Sequence, residues 1–461
     1  MKKILLYISD GVGCRNFVYS SFIDNAINDG FEVVILKNVP FDFDTKGCKV
    51  VAYPSIPLPP MVDIYKSIKI VAELTRFAKK FNNDVYLKYI FKWPSKRLID
   101  KLKNIYKYYC LSKANTEEKI LDVEKKMYKA ALGSDIYYAI CNILDAEKPD
   151  VVMFTNQRSL TNIPVVLACE KFKIPSLTNI FSWDNLPKAT KIHKSDYYFV
   201  WSSYMKNELI MYYPYIDSDR IKITGTPQFS SYHDSSDILP RNLFLERYSL
   251  DPTKRYICFS GDDVVTSPHD DIFLRDLCNE VRKYNSDNND ILRVLFRRCP
   301  TDRSSRYDEV LNAQSDILTP IEPLWKSVSE DNWQSSYPLK EDISLLKNIL
   351  YHSDLVINFG STVAIDASFF DTPACYLKYQ PVDSTWNAAL AYSFIHFDTA
   401  KGLNPVFWIN DLSDYKQVFT KVLNGNYKEI LNDAKRWSEV VILHPVDKVM
   451  YRMIEEIKKF I

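Results

Sequence analysis

No run of apolar residues in this chain approaches the ~20 that a bilayer-crossing helix needs, so no membrane span is expected. The start, Met1-Lys-Lys-Ile-Leu-Leu-Tyr-Ile-Ser-Asp10, has two lysines and an apolar run. It reaches Asp10 before the apolar core and small-residue cleavage site of a signal peptide can form, and reads as a first buried strand. Neither sign of charge predominates: 59 Lys and Arg against 58 Asp and Glu give a net +1, which leaves no global field to draw in nucleic acid. The nine cysteines are scattered, without CxxC or Cys/His pairing, which argues against structural zinc and for a reducing, cytoplasmic setting. A complete GxGxxG is also missing. After the first strand, Ser9-Asp-Gly-Val-Gly-Cys-Arg-Asn16 has Gly11 and Gly13 at the first spacing but Asn16 where the third glycine belongs, so a dinucleotide fingerprint is not expected. Asp262-Asp263 lacks an Asp-x-Asp spacing, and His269 beside Asp270 is a single histidine in a loop. No metal is therefore expected, and Gly261 and Asp262 read as a turn or as ligand-loop contacts.

What is present is ordinary soluble-protein composition, 46% hydrophobic and 25% charged, over 461 residues, a length that suggests two or three domains. Apolar strand signals alternate with helical ones, the pattern of parallel α/β architecture. The first series has strands at Lys3–Ser9, Phe31–Leu36, Val151–Thr155, Ser176–Phe181 and Tyr197–Trp201, with helices at Phe17–Asp29, Leu160–Lys171 and up to Met211. It closes on Arg220–Phe229, and the polar stretch Ser230–Pro240 reads as a linker. A second series has strands at Arg255–Ser260, Leu292–Phe296 and Leu355–Phe359 and helices at Ile272–Tyr284 and Ile343–Tyr351, with an irregular excursion over residues 303–340. The expected fold class is α/β: two Rossmann-like domains, residues 1–235 and 236–445, facing across a cleft, with a last helix over 446–461 packing back across them. Ligands of such sheets bind at the carboxyl ends of the strands.

A helical insertion at about 60–145 interrupts the first series. Between Lys66 and Tyr109 it is heavily basic and aromatic, with Lys79, Lys88, Lys96, Arg97 and Lys101 among Tyr86, Tyr89, Phe91, Trp93 and Tyr108. Two readings stand: peripheral contact with an anionic membrane or anionic acceptor, or a solvated insertion whose aromatics pack on their own domain.

The richest segment is Asp354–Pro373. Its strand runs into Gly360-Ser361-Thr362 and a helix, so glycine permits the turn, Ser and Thr cap the helix, and the free N–H groups suit a phosphate. One turn on, Asp366 shares a face with Thr362 and could accept from ribose or sugar hydroxyls. Asp10 is either a general base or a cap of its turn, and Arg15 could hold an acceptor phosphate or carboxylate. Asn179–Lys188 concentrates Trp183, Asp184, Asn185 and Lys188, an aromatic platform beside polar groups that suits sugar faces. Arg297-Arg298 end a strand with guanidinium groups on opposite sides, at least one of which should reach the cleft and a diphosphate or monophosphate there, the alternative being a surface salt bridge.

In this order the motifs resemble the GT-B class of nucleotide-sugar glycosyltransferases, especially bacterial enzymes of capsule and lipopolysaccharide assembly. Asp354–Pro373 resembles the family's strand, capped helix, acidic residue and proline turn; Arg220–Phe229 is similar to its Gly-x-Pro turn; Arg297–Asp302 resembles an Arg-x-His-Pro-x-Asp element. Asp366 stands where Glu is usual, Asp371 where Gly is frequent, and Cys299 where that subgroup has His. The resemblance implies a donor nucleotide held by Gly261, Asp262, Arg297, Arg298, Gly360, Ser361, Thr362 and Asp366. It implies a glycan or lipid-linked acceptor near Arg15, Asn16, Trp183, Asn185 and Lys188, with Asp10 and Asp184 catalytic and no cofactor beyond the nucleotide-sugar substrate. The expected activity is metal-independent, inverting glycosyl transfer. A nucleotide-sugar 2-epimerase, a polyol-phosphate transferase or a non-catalytic binding subunit of the same architecture are the alternatives.

Overall fold

The computed structural model describes residues 1–328, 336–383 and 386–461. The chain forms two compact units, Met1–Gln228 together with Leu443–Ile461, and Phe229–Ile442.

The first unit is built on a parallel sheet of β1 (Lys2–Ile8), β2 (Phe31–Lys37), β3 (Lys49–Ala52), β4 (Val151–Phe154), β5 (Ser176–Asn179), β6 (Tyr197–Val200) and β7 (Ile221–Ile223), in the order β3-β2-β1-β4-β5-β6-β7. β1 and β4 are buried over nearly their whole length, as strands covered on both faces must be. The order reverses between β1 and β4, where β1 pairs with β2 on one side and β4 on the other. The last helix, Val449–Lys458, belongs to this unit: Phe460 stacks on Tyr197 at 3.6 Å and Lys458 pairs with Asp29 at 3.1 Å.

The second unit has β8 (Arg255–Ser260), β9 (Leu292–Arg297), β10 (Leu318–Pro320), an antiparallel pair of β11 (Trp325–Ser327) and β12 (Ser336–Pro338), then β13 (Leu355–Asn358), β14 (Ala374–Leu377) and β15 (Phe407–Ile409). Its main sheet runs β10-β9-β8-β13-β14-β15 and reverses between β8 and β13. All pairs in both main sheets are parallel.

Several expectations change. In place of one helix over Phe17–Asp29, a turn at Gly11–Gly13 leads into a wide turn at Cys14–Val18 and the helix runs only from Phe22 to Asn28; Ser20 Oγ accepts from Phe22 N at 3.2 Å at the break. The edge strands β3 and β10 were not anticipated, because neither carries a long apolar run. The stretch Ser230–Pro240 is not a free linker: Lys347 Nζ donates to Ser231 O at 3.0 Å and Asp234 O at 2.5 Å, and Asn348 Nδ2 to Asp237 O at 2.8 Å, tying it to the second unit.

The insertion is helical, with Pro60–Phe81, Val85–Lys88, Leu98–Lys113, Glu117–Ala131 and Asp135–Glu147. A buried ionic cluster docks it: Lys69 Nζ lies 2.7 Å from Glu73 and 3.6 Å from Glu124 and donates to Lys191 O at 2.6 Å. His193 beside it accepts at Nδ1 from Asn162 Nδ2 (3.2 Å) and meets Thr178 Oγ1 at Nε2 (2.8 Å). Burial, reinforced by the Lys191 charge, pushes its imidazole down to about 3, so it is neutral. The insertion's aromatics divide: Tyr86 and Tyr89 are buried, Tyr86 against Phe77 and Tyr212, while Phe91, Tyr108 and Tyr109 are exposed.

Candidate functional site

The reversal of strand order in each sheet opens a crevice at the carboxyl ends of the two diverging strands, where open α/β sheets bind ligands. The first unit's residues there come from the turns after β1, β4 and β5. Asp10 caps its turn, Oδ1 accepting from Gly13 N at 2.7 Å. Its Oδ2 accepts from Asn156 Nδ2 at 2.7 Å, and Asn156 is fixed because its Oδ1 takes the Arg158 and Ser159 N–H groups at 3.0 Å each. Burial raises the Asp10 carboxyl above its ordinary value, opposed first by the Arg158 charge and then by the turn's N–H groups. Arg158 lies with its guanidinium 4.0 Å from the centre of the Phe181 ring. Burial lowers this cation's pKa, while Asp10 and Asp184 act to hold it charged. Asp184 is ion-paired to Lys188 and accepts from Asn185 Nδ2 at 2.8 Å; Asn185 Oδ1 in turn accepts from Gln157 Nε2 at 3.0 Å.

Asp10, Asp184, Asn185 and Lys188 therefore join one network. Arg15 donates to Asn16 Oδ1 at 3.0 Å and adds its charge near Asp10. Trp183 is buried, so the ring expected as a sugar platform packs inside instead. The sequence reading passed over Asn156, Gln157 and Arg158. Their signal was available: Thr-Asn-Gln-Arg-Ser follows β4 directly at the reversal point.

In the second unit, Gly360 has φ +73°, a conformation that favours glycine, and begins the turn after β13. The capping differs from expectation. Thr362 makes no side-chain cap bond, Ser361 Oγ accepts only a long 3.4 Å bond from Val363 N, and Asn358 Oδ1 accepts from Ser361 N at 2.7 Å. The helix that follows, Val363–Ser368, has 6 residues. Asp366 does not face the opening; it is buried and accepts from Tyr232 OH at 2.5 Å. Asp371 takes φ +56°, which gives the physical reason a glycine suits that position.

Arg297 is ion-paired through one of its two terminal nitrogens. Its Nη2 donates to both Asp342 oxygens at 2.9 Å, and Asp342 further accepts from Leu324 N and Trp325 Nε1, each at 2.7 Å. Arg297 Nη1 is buried without a partner, as is Asn358 Nδ2. Ser260 pairs with Arg297, and Phe259 with Ile357, so Arg297 and Asn358 end flanking strands at the same level and on the same face of the sheet. Arg298 points elsewhere: it donates to Ser304 O at 2.7 Å and lines a pocket of about 510 Å³ with Asp302, Arg303 and Glu322.

The turn after β8 is braced from below. Asp270 accepts from Asp262 N (2.8 Å), Ser267 Oγ (2.9 Å) and Tyr307 OH (2.8 Å), and Arg306 donates to Asp262 O at 2.6 Å. Burial pushes Asp270 up to about 6. Asp262 is raised well above the usual range by burial and by the charges of Asp270 and Asp263, and its Oδ2 has no partner. Among the described residues no cluster of three or more His, Cys, Asp and Glu suits a metal ion.

Solved structures share this fold of two parallel-sheet α/β units. UDP-GlcNAc 2-epimerase from Methanocaldococcus jannaschii aligns over 100% of both chains at 13% identity and a TM-score of 0.51. The S. aureus MnaA–UDP complex aligns over 100% of this chain and 97% of its own, at 12% identity and TM-score 0.52. A glycosyltransferase from Rickettsia africae ESF-5 aligns over 100% and 98%, at 11% and 0.53. The chain has the GT-B fold. No protein-family model matches its sequence, and no curated protein does. In the GT-B frame the two crevices are the strand-end regions of the two Rossmann-like units, and each gathers its polar side chains from turns far apart in sequence.

Proposed function

We propose that the protein is a nucleotide-sugar enzyme, with inversion at C2 of a UDP-sugar as the first reaction to test and transfer of the sugar to a hydroxyl as the second. The observation that carries it is the pair of buried, unpartnered donors, Arg297 Nη1 and Asn358 Nδ2, at the carboxyl ends of β9 and β13. An orphaned buried N–H is costly, and a diphosphate oxygen is the acceptor that best relieves a cationic one. Gly360 extends the same turn with a backbone N–H group, and the Asp262 carboxyl, raised well above its ordinary value by burial and by the charges of Asp270 and Asp263, lies at the neighbouring strand end.

Epimerisation comes first because solved proteins of this fold include a UDP-GlcNAc 2-epimerase and a UDP complex, and because the burial of Trp183 removes one argument for an acceptor platform. The glycosyltransferase from Rickettsia africae supports keeping transfer as the second reading. In either reaction Asp10, with its raised pKa, is the proton-transfer group of this reading, and Asp184 positions Arg158. The nucleotide-sugar is the substrate and no further cofactor is invoked.

Incubation with UDP-GlcNAc alone, followed by proton NMR, separates the two reactions. A new C2 epimer formed without acceptor supports epimerisation. Nucleotide release that depends on an added hydroxyl acceptor supports transfer. If UDP, GDP and CMP all leave the melting temperature unchanged, both readings fall.

A further inference from the structure

Helices of soluble proteins bury their apolar stripe and present their polar face to water. The helix Leu98–Lys113 does the reverse. Leu98, Leu102, Ile105 and Tyr109, at i, i+4, i+7 and i+11, lie along one face and are 75%, 55%, 66% and 57% exposed. On the opposite face Lys107 is 7% exposed, its ammonium 4.8 Å from the centre of the Trp93 ring. That inner face is anchored: Cys110 and Leu111 pack on the cluster around Ile64, Ile68 and Val123, and Asn104 Nδ2 donates to Pro94 O at 2.8 Å. The orientation is thus fixed by packing, with Phe91 adding a ring 80% exposed just before the helix.

The charge around this stripe has one sign. From Phe91 to Lys113 the chain carries seven basic residues (Lys92, Lys96, Arg97, Lys101, Lys103, Lys107, Lys113) and one acid, Asp100, which accepts from Arg97 Nε at 2.9 Å. The whole protein is nearly neutral at +1, so this segment concentrates positive charge locally. Among the described residues no helix is long and apolar enough to cross a membrane.

We propose that this helix is a docking surface for an anionic lipid bilayer, lying in the interfacial plane with the Leu98–Tyr109 stripe inserted and the flanking lysines on lipid phosphates. Three features select that occupant. The helix is 16 residues and about 24 Å long, and its Leu98–Tyr109 stripe is shorter still, enough to lie along a surface and too short to span one. Its basic flanks complement anionic headgroups. Tyr106, Tyr108 and Tyr109 supply rings with polar tips, which favour the headgroup boundary. The proposal is independent of which nucleotide-sugar reaction the protein performs.

The test is co-flotation of the full chain with vesicles of phosphatidylglycerol and phosphatidylcholine, against phosphatidylcholine alone. Binding to the anionic vesicles that weakens with salt is expected, with little binding to the neutral ones. Leu102→Glu with Ile105→Glu should reduce binding at least about tenfold while leaving the melting temperature unchanged, because both side chains are exposed. Lys96→Glu with Lys101→Glu should reduce it by a comparable factor and abolish the salt dependence. Flotation equal with and without anionic lipid, or unaffected by both double variants, overturns the proposal. So does a dimer, seen by light scattering, that Leu102→Glu dissociates, since the stripe then belongs to a second copy.

Discussion

At the reversal point of the first sheet, Asp10, Asn156, Arg158, Asp184 and Asn185 hold one another through a nearly closed network, and the orphaned atoms at that end, Asn162 Oδ1 and Asn179 Oδ1, are acceptors. At the reversal point of the second sheet two orphans are donors, Arg297 Nη1 and Asn358 Nδ2, and the third is Asp262 Oδ2, on a carboxyl that burial and the charges of Asp270 and Asp263 raise well above its ordinary value. Each amide is oriented by its other partner: Asn179 Nδ2 donates to Ile180 O and Asn358 Oδ1 accepts from Ser361 N, so the polarity is not arbitrary. The same topology has produced an acceptor-lined end, which suits hydroxyl-bearing ligands, and a donor-lined end, which suits an anion. The topology thus supplies only the location, and the side chains decide what can be bound there.

The harshest way to break the contrast is Arg297→Ala. It leaves Asp342 buried with only Leu324 N and Trp325 Nε1, and should cost about 3–5 kcal/mol in urea denaturation. Arg297→Met with Asp342→Leu should recover most of that loss. If this double variant retains a full UDP-dependent thermal shift, Arg297 plays no part in nucleotide binding and the donor-lined end loses its principal member.

Asp270→Asn sharpens the contrast through pH. In the wild type, burial raises Asp270 from 3.8 to about 6. The folded state therefore binds its proton more tightly than the unfolded chain does, so this contribution is complete below pH 3.8 and is lost as pH rises through about 6. At about 1.4 kcal/mol per pKa unit the loss is at most about 3 kcal/mol. Asparagine fits the site, since its oxygen can accept from Asp262 N and Tyr307 OH while its amide donates to Ser267 Oγ. Melting temperatures between pH 4 and 8 should decline less in the variant than in the wild type; parallel curves would place the charge change elsewhere.

Gly13→Ala probes the closed network of the first unit. An added Cβ would lie 2.6 Å from Thr155 Oγ1 and 3.1 Å from Thr155 Cβ, while φ at −58° imposes no backbone strain. The expected loss is about 1–3 kcal/mol, read by denaturant midpoint and largely reversed by Thr155→Ala in the same chain. A neutral Gly13→Ala would mean that the turn after β1 yields more readily than its hydrogen bonds suggest.

Much of the fold was legible. Buried parallel strands are written as continuous apolar runs, so Ile4–Ile8 or Leu355–Ile357 could be read without knowing their neighbours. The site was legible as locations but not as contacts. Asp10, Gly360 and Arg297 were found because strand ends are marked by Gly, Asp and Arg. That Asp366 meets Tyr232, that Arg297 meets Asp342 and that Trp183 turns inward depends on partners tens of residues away. Arg158 was missed because its meaning comes from Asp10 and Asp184, which no local spacing links to it.

The sequence by itself determined the alternation of strands and helices, the absence of a membrane-spanning run and the basic, aromatic character of the insertion, because local periodicity and composition encode these directly. Only the tertiary structure decided the strand order that creates each reversal point, which donors there are left unpaired and which face of Leu98–Lys113 meets water. Those outcomes are set by which side chains win the available buried partners, a competition settled by the packed molecule as a whole.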